Sequence, residues 1–151
     1  MDDVITEFNL GGDAAEFLKV EVRRRELPAH EDYWDGNWLS CEIRVAVGGF
    51  KGRVDAALRA EEFNLFLEQV RQLHKSLKGR ADFTTLEGWL RIELTGDGRG
   101  HMTATCELLD QPGIGNSLKF KIELDQTYLP SVVAGLESII ASYPVRNQPT
   151  K

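Results

Sequence analysis

His30, His74 and His101, Cys41 and Cys106, and the run Gly96-Asp97-Gly98-Arg99-Gly100 are the parts of this chain whose residue types most readily do chemistry. A metal centre needs several imidazole or thiolate donors to converge, which in sequence shows as spacings such as HxH, HxxxH or CxxC. No such spacing occurs among these five residues, and no metal site is predicted. The glycine run would cradle a phosphate only with a strand before it and a helix after it, so that the helix N-terminus adds positive charge. A strand pattern follows instead, and the run reads as a hairpin tip. Asp32 to Asn37 has the Asp, Asp, Gly and Asn content of a calcium loop without its alternating donors, its glycine at the sixth position or its glutamate at the twelfth. No serine stands in a GxSxG elbow or beside a histidine that would activate it. Carboxylates such as Glu93 and Glu107 fall among Lys and Arg on the polar face of predicted strands, where cross-strand ion pairing accounts for them. Neither a catalytic residue nor a cofactor is predicted.

One stretch stands apart. Between Leu27 and Glu42, Tyr33, Trp34 and Trp38 lie among Glu31, Asp32 and Asp35, with no Lys or Arg in the interval. Tryptophan is costly to expose in a loop, so Trp34 and Trp38 either plug the core or stand at the surface for a partner. Aromatic residues are enriched at interface hot spots, and acids around them steer a basic partner by complementary potential. The candidate partner-binding residues are therefore Glu31, Asp32, Tyr33, Trp34 and Asp35.

The elements that must position this stretch are written in the periodicity. Alternating apolar and polar residues send successive side chains to opposite faces of a strand. The pattern runs through Leu18, Val20 and Val22, then Leu39, Cys41, Ile43, Val45 and Val47, then Val54, Ala56 and Leu58. It returns through Leu90, Ile92 and Leu94, through Met102, Ala104, Cys106 and Leu108, and through Leu118, Phe120, Ile122 and Leu124. Clean alternation favours antiparallel sheet with one wet face. Phe63, Phe66, Leu67, Val70, Leu73 and Leu77, and later Leu129, Val132, Val133, Leu136, Ile139, Ile140 and Tyr143, follow the helical period. Gly79 is the expected stop of the first helix, and Thr127 the expected N-cap of the second. Gly48-Gly49 signals a two-residue hairpin, and Asp110 to Asn116 a loop.

The fold expected is α+β: a largely antiparallel sheet of about six to seven strands with two amphipathic helices on one face. Three strands and a helix follow each other twice, an order that fits a βββα pseudo-repeat and also arises by chance. Cys41, Ile43, Val45, Phe63, Leu67, Val70 and Ile92 are expected in the core. Residues 1–143 read as one domain and 144–151 as a flexible C-terminal tail.

At 151 residues, 42% hydrophobic and 28% charged, the composition is that of an ordinary globular domain. A net charge of -6 argues against nucleic acid and anionic membrane as partners, because both are held by Lys and Arg. The start, Met1-Asp2-Asp3, has neither the basic segment nor the apolar run of a signal peptide, and no stretch is apolar enough to cross a bilayer. A cytoplasmic protein with two core thiols is expected.

Leu27-Pro28 followed by Glu31-Asp32-Tyr33-Trp34-Asp35-Gly36-Asn37-Trp38-Leu39 resembles the WapI-type immunity proteins, which show an acidic stretch running into Asp-x-Asn-Trp-Leu at the start of a strand. The resemblance implies a non-enzymatic cytoplasmic protein that binds and neutralises a secreted polymorphic toxin, such as a cationic nuclease domain. Two other readings come from the residues alone. One is a small ligand-binding or enzymatic domain with a site between sheet and helices and His30 or His101 at its rim. The other is a homo-oligomer joined through strand edges.

Overall fold

A computed structural model describes residues 5–11 and 15–148; the Met1-Asp2-Asp3 start and residues 149–151 lie outside them. The chain forms β1 (Thr6–Leu10), β2 (Phe17–Arg25), a single helical turn α1 (Tyr33–Gly36), β3 (Trp38–Val47), β4 (Phe50–Arg59) and α2 (Ala60–Ser76). It continues with β5 (Lys78–Thr84), β6 (Leu90–Asp97), β7 (His101–Leu109), β8 (Ser117–Asp125) and α3 (Leu129–Ser142). The fold is α+β and its strands are antiparallel throughout, in two sheets of order β1-β2-β3-β4 and β5-β6-β7-β8. Among the described residues there are eight strands where about six to seven were expected, and each sheet is four consecutive strands followed by a helix. The repeating order is thus ββββα. β1 escaped the reading because only Phe8 and Leu10 mark its inner face.

The alternating residues point where the period places them. Leu18, Val20, Ile43, Leu58, Leu90, Ile92, Leu94, Met102 and Ala104 have no measurable exposure. Cys41, Val45, Phe63, Leu67 and Val70 join them in one continuous core that takes in both sheets, α2 and α3. Its centre is aromatic. Phe8 of β1, Phe63 and Phe66 of α2 and Phe83 of β5 lie with ring centroids 5.3 to 6.2 Å apart, tilted or edge-to-face as ring quadrupoles favour. These four rings join the two halves. α3 approaches β1 so closely that a Cβ on Gly135 would lie 2.5 Å from the Glu7 carbonyl oxygen, so only glycine allows that packing.

Helix ends differ from the sequence reading in two places. Leu77, in left-handed backbone with φ 59°, caps α2 through its N–H to the Leu73 carbonyl at 2.7 Å, and Gly79 lies inside β5. Asp125, and not Thr127, caps the turn that leads into α3, accepting the Thr127 N–H at 2.8 Å. The glycine-rich run is the β6–β7 hairpin, where the Asp97 carboxylate accepts the N–H groups of Arg99 and His101. Cys41 and Cys106 are free and buried, and burial pushes the Cys106 thiol up to about 12. No helix among the described residues is long and apolar enough to cross a membrane.

Candidate partner-binding site

The acidic aromatic stretch connects β2 to β3, and its shape is set by one short helical turn. Asp32 stands before the turn in extended backbone and its carboxylate accepts the Asp35 N–H at 2.9 Å, a helix N-cap in miniature. Gly36 closes the turn against the preceding chain: a Cβ there would collide with the His30 carbonyl.

Beneath the turn lie three arginines drawn from distant parts of the chain. Arg59, the last residue of β4, is 2% exposed. Its guanidinium donates to the Trp34 carbonyl at 2.7 Å, the Tyr33 carbonyl at 2.8 Å and Glu61 Oε2 at 2.5 Å. The same group sits 5.0 to 5.2 Å from the ring centroids of Tyr33, Trp34 and Trp38, inside cation–π range for all three. The Tyr33 hydroxyl donates to Glu61 Oε2 at 3.0 Å. Burial raises the Tyr33 pKa above its ordinary value, and the bond to Glu61 adds to that.

Arg25 and Arg146 hold the other side. Arg25 donates to the Gly36 carbonyl at 2.8 Å and to the Pro144 carbonyl. Burial lowers its pKa, and neighbouring Arg146 lowers it further. Asn37, with no exposed surface, donates to the Tyr33 and Arg146 carbonyls at 2.8 and 3.0 Å and accepts the Arg146 N–H at 2.8 Å. The Arg146 guanidinium donates to the Pro28 and His30 carbonyls, and the Asn147 side chain to the Glu31 carbonyl. In residues 144–147, expected to form the start of a loose tail, Pro144 is therefore bonded to β2 and Arg146 and Asn147 to the stretch.

The two readings of the tryptophans divide between them. Trp38 is half-buried against Arg59, whereas Trp34 is 64% exposed with its backbone carbonyl fixed by the same arginine. Glu31, Asp32 and Asp35 are exposed around it, and Tyr33 is half-buried. The five candidate residues thus occupy one turn and present one aromatic and three carboxylates to solvent. A second exposed apolar side chain comes from the β5–β6 loop, which is tied to the first turn of α2. Leu86, 66% exposed, has its N–H bonded to Glu62 at 2.6 Å, next to the Glu61 that holds Tyr33. Only the fold brings the β5–β6 loop to the first turn of α2; nothing in the sequence marks it.

The turn also gathers His30, Asp32 and Asp35, whose ligand atoms lie within 4.8 Å of one another. The sequence spacing rules did not flag this trio, because the cap brings positions two and five residues after His30 to the same side. All three are exposed, and a calcium or zinc site draws on four or more donors in all. His101 is bonded to Glu123 at 2.6 Å on the outer face of the second sheet, far in the chain from His30.

The model of the immunity protein WapI-like family matches residues 9–144. No curated protein matches the chain. Among solved structures it is similar to one described as "Crystal structures of trypanosoma bruciei MRP1/MRP2", with 11% identity and a TM-score of 0.44, over 91% of this chain and 83% of that one. The family match runs from within β1 to the end of α3 and takes in the whole Glu31–Trp38 turn, and the chain belongs to the WapI-like immunity protein family.

Proposed function

We propose that the protein is a non-enzymatic immunity protein that neutralises a secreted toxin by direct binding, through the turn that carries Trp34. Membership of the family supports an immunity function. The observation that carries the binding site is the exposed Trp34 on a backbone fixed from below by buried Arg59. A large aromatic held in place before binding loses little conformational entropy on contact, which is what makes tryptophan an effective anchor. Glu31, Asp32 and Asp35 surround it with negative charge, so the partner is a cationic protein surface, and a toxin that acts on nucleic acid has such a surface at its active site. Arg59, the arginine beneath Trp34, is paired with Glu61 and so leaves these carboxylates their charge.

The test is capture of the toxin encoded beside the gene by the purified protein, repeated with Trp34→Ala and with Asp32→Asn combined with Asp35→Asn. Binding by the wild type with loss in the variants supports the site. Unchanged capture by all of them removes the turn from the interface.

A further inference from the structure

One helical turn is too small to hold a partner by itself. A tryptophan buries roughly 150–250 Å², whereas a specific interface covers about 800 Å² on each protein. A partner that engages Trp34 therefore covers more than α1, and the bonds made by Glu61 and Glu62 show where the surface continues. The Tyr33 ring meets Trp34 edge-on at 5.1 Å between centroids and its hydroxyl is bonded to Glu61, while the Leu86 N–H is bonded to Glu62. At about 100° per residue, Leu65 projects between these two glutamates, one turn further along α2. Leu65 is 60% exposed, about as open as Trp34 and Leu86. Three apolar side chains from three separate segments thus stand at the start of α2 with their surfaces in solvent.

The same three segments are acidic. Residues 27–36, 60–70 and 85–89 contain no Lys or Arg, and Glu31, Asp32, Asp35, Glu68 and Glu87 are all exposed on them. Among the described residues neither Glu68 nor Glu87 is in an ion pair. The bases that approach from elsewhere are few. Arg59 is paired with Glu61, Arg71 further along α2 with Glu137, and Arg91 stands opposite Glu107 on β7. Arg25 and Arg146 lie on the other side of the turn with their donors on carbonyls, so the five exposed carboxylates outnumber them.

We infer that the toxin-binding surface runs from the Trp34 turn across the outer face of α2 to the β5–β6 loop, and that it takes a protein surface with an apolar centre and a basic border. The inference rests on the reading of the turn as the partner site. Leu65 and Leu86 widen the apolar contact that Trp34 begins, and Glu68 and Glu87 carry the acidic rim to the side away from Arg146. Apolar anchors in the middle and charges at the rim are the build of a protein interface, and the charged rim selects the partner and speeds its approach.

The experiment titrates the toxin domain encoded beside the gene into the full chain by calorimetry and follows association by stopped flow. Wild type is compared with Trp34→Ala, with Leu65→Ala plus Leu86→Ala, and with Glu68→Gln plus Glu87→Gln. Phe50→Ala is the control, because Phe50 is as exposed as Trp34 and lies at the end of β3 opposite Trp38. The leucine pair is expected to weaken binding at least about tenfold, and the glutamine pair to slow association, most at low salt. Phe50→Ala is expected to leave both unchanged. All the replaced side chains are exposed, so an equal thermal midpoint is expected to show that each variant folds. Affinity lost with Trp34→Ala but kept by both pairs confines the interface to the turn and overturns this inference while the reading of the turn stands. A loss as large with Phe50→Ala overturns it as well. An effect of the leucine pair alone overturns the basic border, and of the glutamine pair alone the apolar centre. Toxin that binds Trp34→Ala as tightly as wild type, or does not bind wild type, removes the reading of the turn and this inference with it.

Discussion

Replacing Arg59 with methionine keeps an unbranched stem of similar reach and deletes the cation beneath the Trp34 turn. The Trp34 carbonyl loses its donor at 2.7 Å and Glu61 loses the Nε–H at 2.5 Å, and three rings lose the charge at their faces. The Tyr33 carbonyl keeps the Asn37 amide, and Glu61 keeps the Tyr33 hydroxyl. Removing one member of a buried ion pair costs roughly 3–5 kcal/mol. Glu61 is 20% exposed and retains one donor, which places the loss at the lower end, about 3 kcal/mol. With a urea slope of about 1–3 kcal/mol per molar for a chain of this size, the midpoint falls by roughly 1–3 M. The thermal midpoint falls by about 6–12 °C. Arg59→Lys keeps the charge without the planar fork that reaches two carbonyls and a carboxylate together, so its midpoint lies between the two. Urea unfolding followed by tryptophan fluorescence and circular dichroism reads this directly. A methionine variant within about 0.3 M of the wild type, or a lysine variant as stable as arginine, would refute the idea that Arg59 holds the turn.

Three further outcomes follow from the same geometry. Glu62, 8% exposed and bonded to the Arg59 and Leu86 N–H groups, has its pKa raised by burial to about 7. A folded-state pKa above the unfolded value of 4.5 means that the folded protein binds the proton more tightly, so the stabilisation is complete below pH 4.5 and is lost as pH rises through 7. Wild type is therefore expected to gain stability, on the order of 3 kcal/mol from this group, between pH 8 and pH 5. Glu62→Gln should lack that part of the dependence, and identical pH profiles by urea titration would contradict the assignment. Gly36→Ala is expected to cost about 1–3 kcal/mol because the added methyl meets the His30 carbonyl; a thermal midpoint equal to wild type would show that the turn can shift. Asn37→Ala removes the partner of both the Arg146 N–H and the Arg146 carbonyl, while the Tyr33 carbonyl keeps the Arg59 guanidinium. It should expose residues 144–147 to proteolysis and lower stability by roughly 2–3 kcal/mol, and a protease-resistant variant would contradict the pinning of that segment.

The α+β class was legible because burial follows side-chain period, and period is a property of the sequence. Leu39, Cys41, Ile43, Val45 and Val47 had to share a face, and they do. Alternation says nothing about which strand neighbours which, so division into two sheets could not be read from it. The arginines under the candidate turn were hidden for two reasons. At Arg25, an irregularity in the β2–β3 register between Val22 and Arg24 reverses the alternation. Arg24 is then exposed and Arg25 buried, against the parity set by Leu18, Val20 and Val22. Arg59 and Arg146 are 22 and 109 residues from Asn37 in the chain, and no local rule connects them to it. The stretch lacks Lys and Arg between Leu27 and Glu42, and that absence is local to the chain. In space, three guanidinium groups from outside the stretch hold it up.

The most direct test of the central claim is calorimetric titration of the toxin domain encoded beside the gene into the wild-type protein and into Trp34→Ala, with urea unfolding of both proteins in parallel. Because Trp34 is 64% exposed, its removal is expected to leave stability within about 1 kcal/mol while weakening binding by about 2 kcal/mol, roughly thirtyfold. Toxin binding that is equally tight with and without the indole, or a wild-type protein that does not bind the toxin at all, would contradict the account.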